Sequence, residues 1–481
     1  MNILIAHLLF LFISIVTLYL FRKEKIIGLI HIILSALSFL GSLYIIKNQT
    51  MYLQNTIDLI YIIPGISISF GLDHLGLIFL IISNGLWFMT SLYSERYLNL
   101  NEYKNKSSFF IFFTFSMFAT NAIIYSSNLL TTFIFYEILT LATYPLVTFK
   151  KDEKSIINGK KYLYYLLGTS IIFLLPAIIL TQLTTGTLDY RVGGIFDNYD
   201  SLTISLLAIL FMFGVAKSAI MPFHKWLPSA MVAPTPVSAL LHAVAVVKSG
   251  VFILMKIMLY IFGMEVLKDT SANNFIILFA SITIIVSSII ALNQDNIKLR
   301  LAYSTIGQLS YIVLATAILA PYSIMAATLH LIFHALGKII LFLSAGIIAT
   351  QTGIKEVSEM NNLSRKLPIT CFLVLIGAFI MIGLPPTVGF ISKWYLLIGI
   401  MESDKLYLLI IIIISTLLNA GYYFPIIYKS YFEKESSSDA KEITEDISLV
   451  FPVMIIGAIV ILLFFNISFI TTFIDGYIIR K

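Results

Sequence analysis

Apolar residues run along the chain in long blocks, each near the roughly 20 residues that a helix needs to cross a bilayer. Short polar joints separate the blocks. The pattern predicts fourteen membrane spans, at about 1–21, 26–46, 72–94, 108–126, 129–149, 162–183, 201–222, 237–262, 274–293, 301–319, 323–350, 369–399, 406–428 and 450–474. The first block lacks a basic start and a small-residue cleavage site, so it reads as a retained span and not as a removed signal. The mixed stretch 47–71, with Pro64 and Gly65, reads as a short hairpin outside the bilayer core. The fold class is therefore an all-α polytopic membrane protein.

Composition agrees. Of 481 residues 59% are hydrophobic and 12% charged, whereas a soluble protein carries roughly 25% charged residues. A water-soluble enzyme is excluded. One cysteine, Cys371, excludes a disulfide framework, a cysteine-held iron–sulfur cluster and a Cys-x-x-Cys zinc site. The net charge of +6 comes from 31 Lys and Arg against 25 Asp and Glu. Twenty of those basic residues fall in odd-numbered joints, six on the opposite side and five inside spans. The positive-inside rule then predicts a multi-pass protein of the cell membrane with both termini outside the cytoplasm. The basic balance is a topological signal, and nucleic acid drops out as a partner.

An ionisable group in the bilayer core costs on the order of 3 kcal/mol and is a functional hypothesis by default. Among the acids only Glu137, in FIFYEILTL, lies deep in a span; Asp73, at the mouth of span 3, reads as a cap. Lys217 (FGVAKSAIM), Lys248 (AVAVVKSGV) and Lys393 (GFISKWY) lie too far from span ends to snorkel easily, while Lys256 and Lys338 are less deep. His330, His334 and Lys338 follow one another at one-turn spacing, a polar stripe on span 11. His242 precedes Lys248 by roughly two turns in span 8. His224 falls in a loop, and His7 and His31 read as packing residues. Two histidines one turn apart can bind metal, but no carboxylate or thiol completes the set, so neither metal nor cofactor is expected. A static set of ion pairs would need more acid: one carboxylate cannot neutralise three lysines. Some of the lysines must be deprotonated, hydrated or paired transiently, and a lysine switched by moving its partner is what a proton relay requires.

Glycine and proline interrupt span 7 (FMFGVAKSAIMPFHKWLPSAMVAPTPVSALLH) and span 12 (FIMIGLPPTVGFISKWYLL), each beside a lysine. Interrupted spans in corresponding positions point to an ion site in a protein built from repeats. Spans 7 and 12 are five apart, an odd number, so a repeat of spans 4–8 by spans 9–13 is inverted in the membrane. The expected organisation is N-terminal helices over 1–107, a first five-helix repeat over 108–262, a second inverted repeat over 274–428 and a C-terminal helix over 450–481.

The segments KSAIMPFHKWLPSAMVAPTPVSALLHAVAVVKSGVF and YSTIGQLSYI, extended by HLIFHALGKIILFLSAG and GLPPTVGFISKWY, carry a resemblance. They resemble the antiporter-like subunits shared by Mrp-type multisubunit cation/proton antiporters, membrane-bound hydrogenases and respiratory complex I, most clearly over residues 70–430. Wording such as LLHAVAVVKSGVF and GFISKWYLLIG is most similar to the D-type subunit of the Mrp antiporters. The resemblance implies fourteen helices with two inverted five-helix bundles. It also implies a glutamate–lysine pair at Glu137 and Lys217, a central relay lysine at Lys248, a histidine helix with His330 and His334, and a distal lysine at Lys393. One complex I subunit type has glutamate at the distal position, and the longest type has a C-terminal extension, so both are disfavoured. The implied function is that of a proton-translocating subunit of a monovalent cation (Na+ or K+)/proton antiporter, working with other subunits and not itself an enzyme. His330 and Lys338 would tune the middle of the relay. The alternative is a membrane-arm subunit of an NADH-quinone oxidoreductase or hydrogenase-type complex, whose redox groups belong to partners. An enzyme acting on lipid-linked substrates would need acids or metal ligands at a membrane surface, and the joints here are short.

Overall fold

The computed structural model describes residues 2–51, 53, 55–63, 65–196, 199–268, 270–434 and 444–476; the side chains of Leu241 and His242 lie outside the description, and with them the His242 assignment. The chain is helical almost throughout. In order come α1 (Ile3–Leu20), α2 (Ile27–Lys47), α3 (His74–Leu100), α4 (Lys106–Tyr125), α5 (Leu129–Val147), α6 (Glu153–Thr185) and α7 (Ser201–Gly214). After an irregular stretch come α8 (Val246–Lys256), α9 (Ser271–Leu292), α10 (Ile297–Ile318), α11 (Pro321–Thr352), α12 (Pro368–Ile382), α13 (Val388–Glu402), α14 (Leu408–Phe432) and α15 (Ile447–Phe465). Among the described residues 11 helices are long and apolar enough to cross a membrane; α7 and α12 are shorter apolar helices. The chain is a multi-pass membrane protein.

Local chemistry fixes the helix starts. The carboxylates of Asp73, Asp152 and Asp200 and the amide oxygens of Asn128 and Asn296 each accept a backbone N–H three residues on, at 2.7–3.1 Å. Each thereby satisfies a donor that the helix itself leaves unpaired. Pro321 and Pro368 occupy first-turn positions of α11 and α12, where a missing N–H costs nothing.

The hairpin expected over 47–71 is present as two antiparallel strands, β1 (Ile57–Ile63) and β2 (Ile66–Phe70), paired from Ile57 opposite Phe70 to Ile63 opposite Ile66. Gly65, at φ +83°, makes the turn. Helix α6 begins well before the expected span. Its opening turns carry Lys154, Lys160 and Lys161, which can be helical outside the hydrocarbon without being apolar. Span 12 is two helices, α12 and α13, and span 14 breaks at Asn466 into α15 and Ile467–Ile474.

Helix α11 is the axis of the molecule. All of its most apolar stretch is buried, as is 94% of that in α10, against 33% in α1 and 28% in α2. It packs on α10, α12, α13, α15, α3 and the segment 235–244. A helix surrounded by protein on all sides can carry polar side chains that lipid would reject.

Candidate functional site

Helix α7 ends at Gly214, and the chain passes through a short 3-10 turn, Ala216–Ser218. Ala219 then takes a left-handed conformation, and Pro222 follows, which cannot donate to a helix. The break frees carbonyls, and the indole N–H of Trp226 donates to that of Ala216 at 2.9 Å. Lys217, on this turn, is wholly buried. Its Nζ donates to the Tyr136 carbonyl at 2.8 Å and the Thr140 hydroxyl at 2.6 Å, over the Tyr136 ring.

Lys217 and Glu137 make no contact ion pair among the described residues: both Glu137 carboxylate oxygens are buried and accept no hydrogen bond. The ammonium engages the carbonyl of the preceding residue, and successive helix positions lie about 100° apart around the axis. The two charges are within electrostatic reach of one another without touching.

The central groups do meet. Lys248 on α8 and His334 on α11, both buried, approach to 2.6 Å between Nζ and Nδ1. With the amine protonated it donates, Nδ1 accepts, and the imidazole proton is on Nε2. The ring centroids of His330 and His334 lie 6.0 Å apart. His330 Nε2 is 3.0 Å from Gln308 Oε1 and its Nδ1 is 3.0 Å from the Ser392 hydroxyl. Ser392 Oγ also donates to the Gly389 carbonyl at 3.1 Å. With that donation made, His330 satisfies both neighbours when it carries two protons; when it carries one, the serine hydroxyl must turn round.

Lys393 is next to Ser392 in the chain. Its Nζ donates to the Ile382 carbonyl, the last of α12, at 2.7 Å and to Thr416 Oγ1 at 3.3 Å. The carbonyl is available because α12 stops at Gly383, which is at φ +84°. A crevice of about 170 Å³ separates Lys393 from His330, walled by Tyr311, Ala315, Ala326, Ser392 and Leu396 and too narrow to seat a water. Lys338, one turn beyond His334, uses all three ammonium protons, on the Leu301 carbonyl at 3.0 Å, Ser304 Oγ at 2.8 Å and Tyr423 OH at 3.2 Å.

Several members escaped the sequence reading. Thr140, Tyr136, Gln308 and Ser392 are neutral, and their one signal is a polar group inside an apolar span. Asp73 caps α3 as expected, and its second oxygen also takes an ion pair from Lys256 at 2.8 Å. His7 bonds Tyr125 and Ser38, and His31 packs against Trp87, Phe110 and Phe113, as structural residues do.

Residues 126–419 match the family described as NADH:quinone oxidoreductase/Mrp antiporter, TM. The chain is 32% identical over 369 residues to the largest-type subunit, lettered A, of the Na(+)/H(+) antiporter of Alkalihalophilus pseudofirmus, covering 72% of this chain and 44% of that one. It is 31% identical over 371 residues to NADH-quinone oxidoreductase subunit N of Desulforudis audaxviator, covering 74% and 71%. It spans about half the length of most of the curated relatives it matches. Two solved structures share the fold. A chain of the archaeal membrane-bound sulfane sulfur reductase superposes with TM-score 0.87 at 21% identity, covering 100% of this chain and 98% of that one. A chain of the Mrp complex from Dietzia sp. DQ12-45-1b superposes with TM-score 0.85 at 17% identity, covering 99% and 97%.

Proposed function

Because the chain belongs to the NADH:quinone oxidoreductase/Mrp antiporter transmembrane family, we propose that it is the proton-translocating subunit of a multisubunit Na+ or K+/proton antiporter, of the D type. It works in a hetero-oligomeric complex of the cell membrane, with both termini on the non-cytoplasmic side. The observation that carries the reading is the buried 2.6 Å contact between Lys248 and His334. Titratable groups on two helices that the lipid alone would never bring together share one proton position there.

The relay runs from Glu137 and Lys217 through Lys248 and His334 to His330 and Lys393. Lys217 gives up its proton when Glu137, already within electrostatic reach, withdraws its charge. Because Tyr136 and Thr140 hold the ammonium in the meantime, the lysine changes charge without changing place. His330 passes the proton by turning the Ser392 hydroxyl, and the crevice towards Lys393 must widen to admit water before Lys393 receives it. The lysine of each broken span lies against a tyrosine, Lys217 over Tyr136 and Lys393 5.2 Å from the Tyr311 ring. This parallel supports two inverted repeats, spans 4–8 and 9–13, in a fourteen-span chain.

The test is cation-driven proton flux in vesicles carrying the assembled complex. Glu137→Ala and Lys217→Ala should each abolish flux while the subunits still co-purify; undiminished flux in both refutes the assignment. The likeness to subunit N, 71% of which is matched, favours a second reading, in which electron transfer in partner subunits drives the same path. Flavin or iron–sulfur subunits in the purified complex would select it.

A further inference from the structure

The relay above leaves one buried lysine unused. Lys256, 2% exposed, lies on α8 eight residues beyond Lys248, roughly 12 Å along the helix axis. Its Nζ meets the Asp73 carboxylate at 2.8 Å, the Ser126 carbonyl at 2.9 Å and the face of the Tyr190 ring at 4.1 Å. The partners come from the start of α3, the end of α4 and the loop after α6, all at one membrane face. The pair is unequal: the lysine side chain is 3% exposed and the aspartate 28%. One member is therefore dry and turned to the interior, while the other touches the water outside. Phe252, one turn from each lysine, packs on Phe79 with ring centroids 5.0 Å apart and is 5.5 Å from Lys256 Nζ.

A staple between helices needs one acceptor for the ammonium and places no demand on which partner is wet. We propose that Lys256 and Asp73 form a proton port joining the central lysine to the face where α3 and α5 begin, with Phe252 as the dry gate between them. The proposal rests on the proton-translocating reading and adds an entrance and exit that the relay lacks. Lys256 ammonium passes a proton to the Asp73 carboxylate, leaving a neutral amine and a neutral acid; Asp73 releases that proton to water. The amine then takes the next proton from the Lys248 side when Phe252 swings aside. Run backwards, the same steps load the relay. Throughout, the backbone carbonyl of Ser126 and the Tyr190 ring hold the lysine in place.

Lys256→Arg separates the port from a staple. Arginine keeps the positive charge and the ion pair but does not give up its proton. The assay is NaCl- or KCl-driven proton flux in everted vesicles carrying the complete complex, with co-purification of subunits as the check on folding. Lys256→Arg and Asp73→Asn are each expected to lower flux at least tenfold with the complex intact. Asn keeps the helix cap but accepts no proton, so it tests the same point without added bulk. Flux within twofold of the parent in both variants overturns the port. Glu137→Gln in the same vesicles separates the two failures. If it abolishes flux while the port variants do not, only the port is wrong; if it leaves flux unchanged, the underlying reading falls.

Discussion

Gly250→Ala puts the break of span 7 under direct strain. A Cβ on Gly250 would lie 2.3 Å from the Lys217 carbonyl carbon and from Ser218 N, and 2.7 Å from the Lys217 oxygen. All three are backbone atoms, so no side chain can turn away. Carbon contacts settle near 3.5 Å, and relief needs the turn and α8 to part by about 1 Å. Such overpacking costs about 1–3 kcal/mol, offset by up to about 1 kcal/mol because alanine favours the helix. The displacement falls on the residue that carries the ammonium. Bonds now at 2.6 and 2.8 Å, lengthened by about 1 Å, leave hydrogen-bonding range, and each such bond to a charged group contributes about 1.5–3 kcal/mol. If half of one such bond reaches the proton-transfer barrier, flux falls about tenfold. The assay pairs thermal unfolding of the purified complex with cation-driven flux, and Gly421→Ala is the control. Its Cβ would meet only the flexible end of Leu292, at 3.0 Å. Gly250→Ala with parental flux and unfolding temperature would show that α8 does not position Lys217.

Two further predictions follow from charges held by neutral partners. Lys338→Met removes the donor from the Leu301 carbonyl, Ser304 and Tyr423 and leaves buried acceptors unpaired, costing about 1–3 kcal/mol; an unchanged unfolding temperature would contradict that. Asp295, in the joint between α9 and α10, accepts from the Ser358 hydroxyl at 2.5 Å and the Ser358 N–H at 3.0 Å. Those bonds hold its carboxyl below the ordinary value of 3.8. A depressed folded value stabilises fully above the unfolded value and is lost as pH falls through the folded one. Protease protection of the 353–366 joint should therefore fall between about pH 4 and about pH 2 in the parent. Asp295→Asn should lower protection at every pH and flatten the dependence; parallel curves would refute the assignment.

The spans were legible because lipid imposes one rule on every helix it touches, so hydropathy alone locates them. The same rule measures hydrocarbon thickness and not helix length, which is why α6 starts earlier than its apolar block: Lys154, Lys160 and Lys161 are helical in the polar margin. The breaks were legible from Gly and Pro, and the buried charges from their rarity. The acceptors were not. Lys217 is held by a backbone carbonyl and a threonine, and Lys393 by the carbonyl that α12 leaves unpaired. Carbonyls carry no sequence signature, and a threonine in a span is commonplace. A direct Glu137–Lys217 pair was the natural expectation because charge is what a sequence displays. The geometry suits a relay better. An ammonium locked to a touching carboxylate sits in a deep well, and removing its proton would break the strongest bond in the site. An ammonium on neutral dipoles, with the carboxylate near but out of contact, can feel that charge without being trapped by it. Lys248 follows the same logic, with an imidazole as its partner. Lys256, the buried lysine that does touch a carboxylate, has the partner nearest to water.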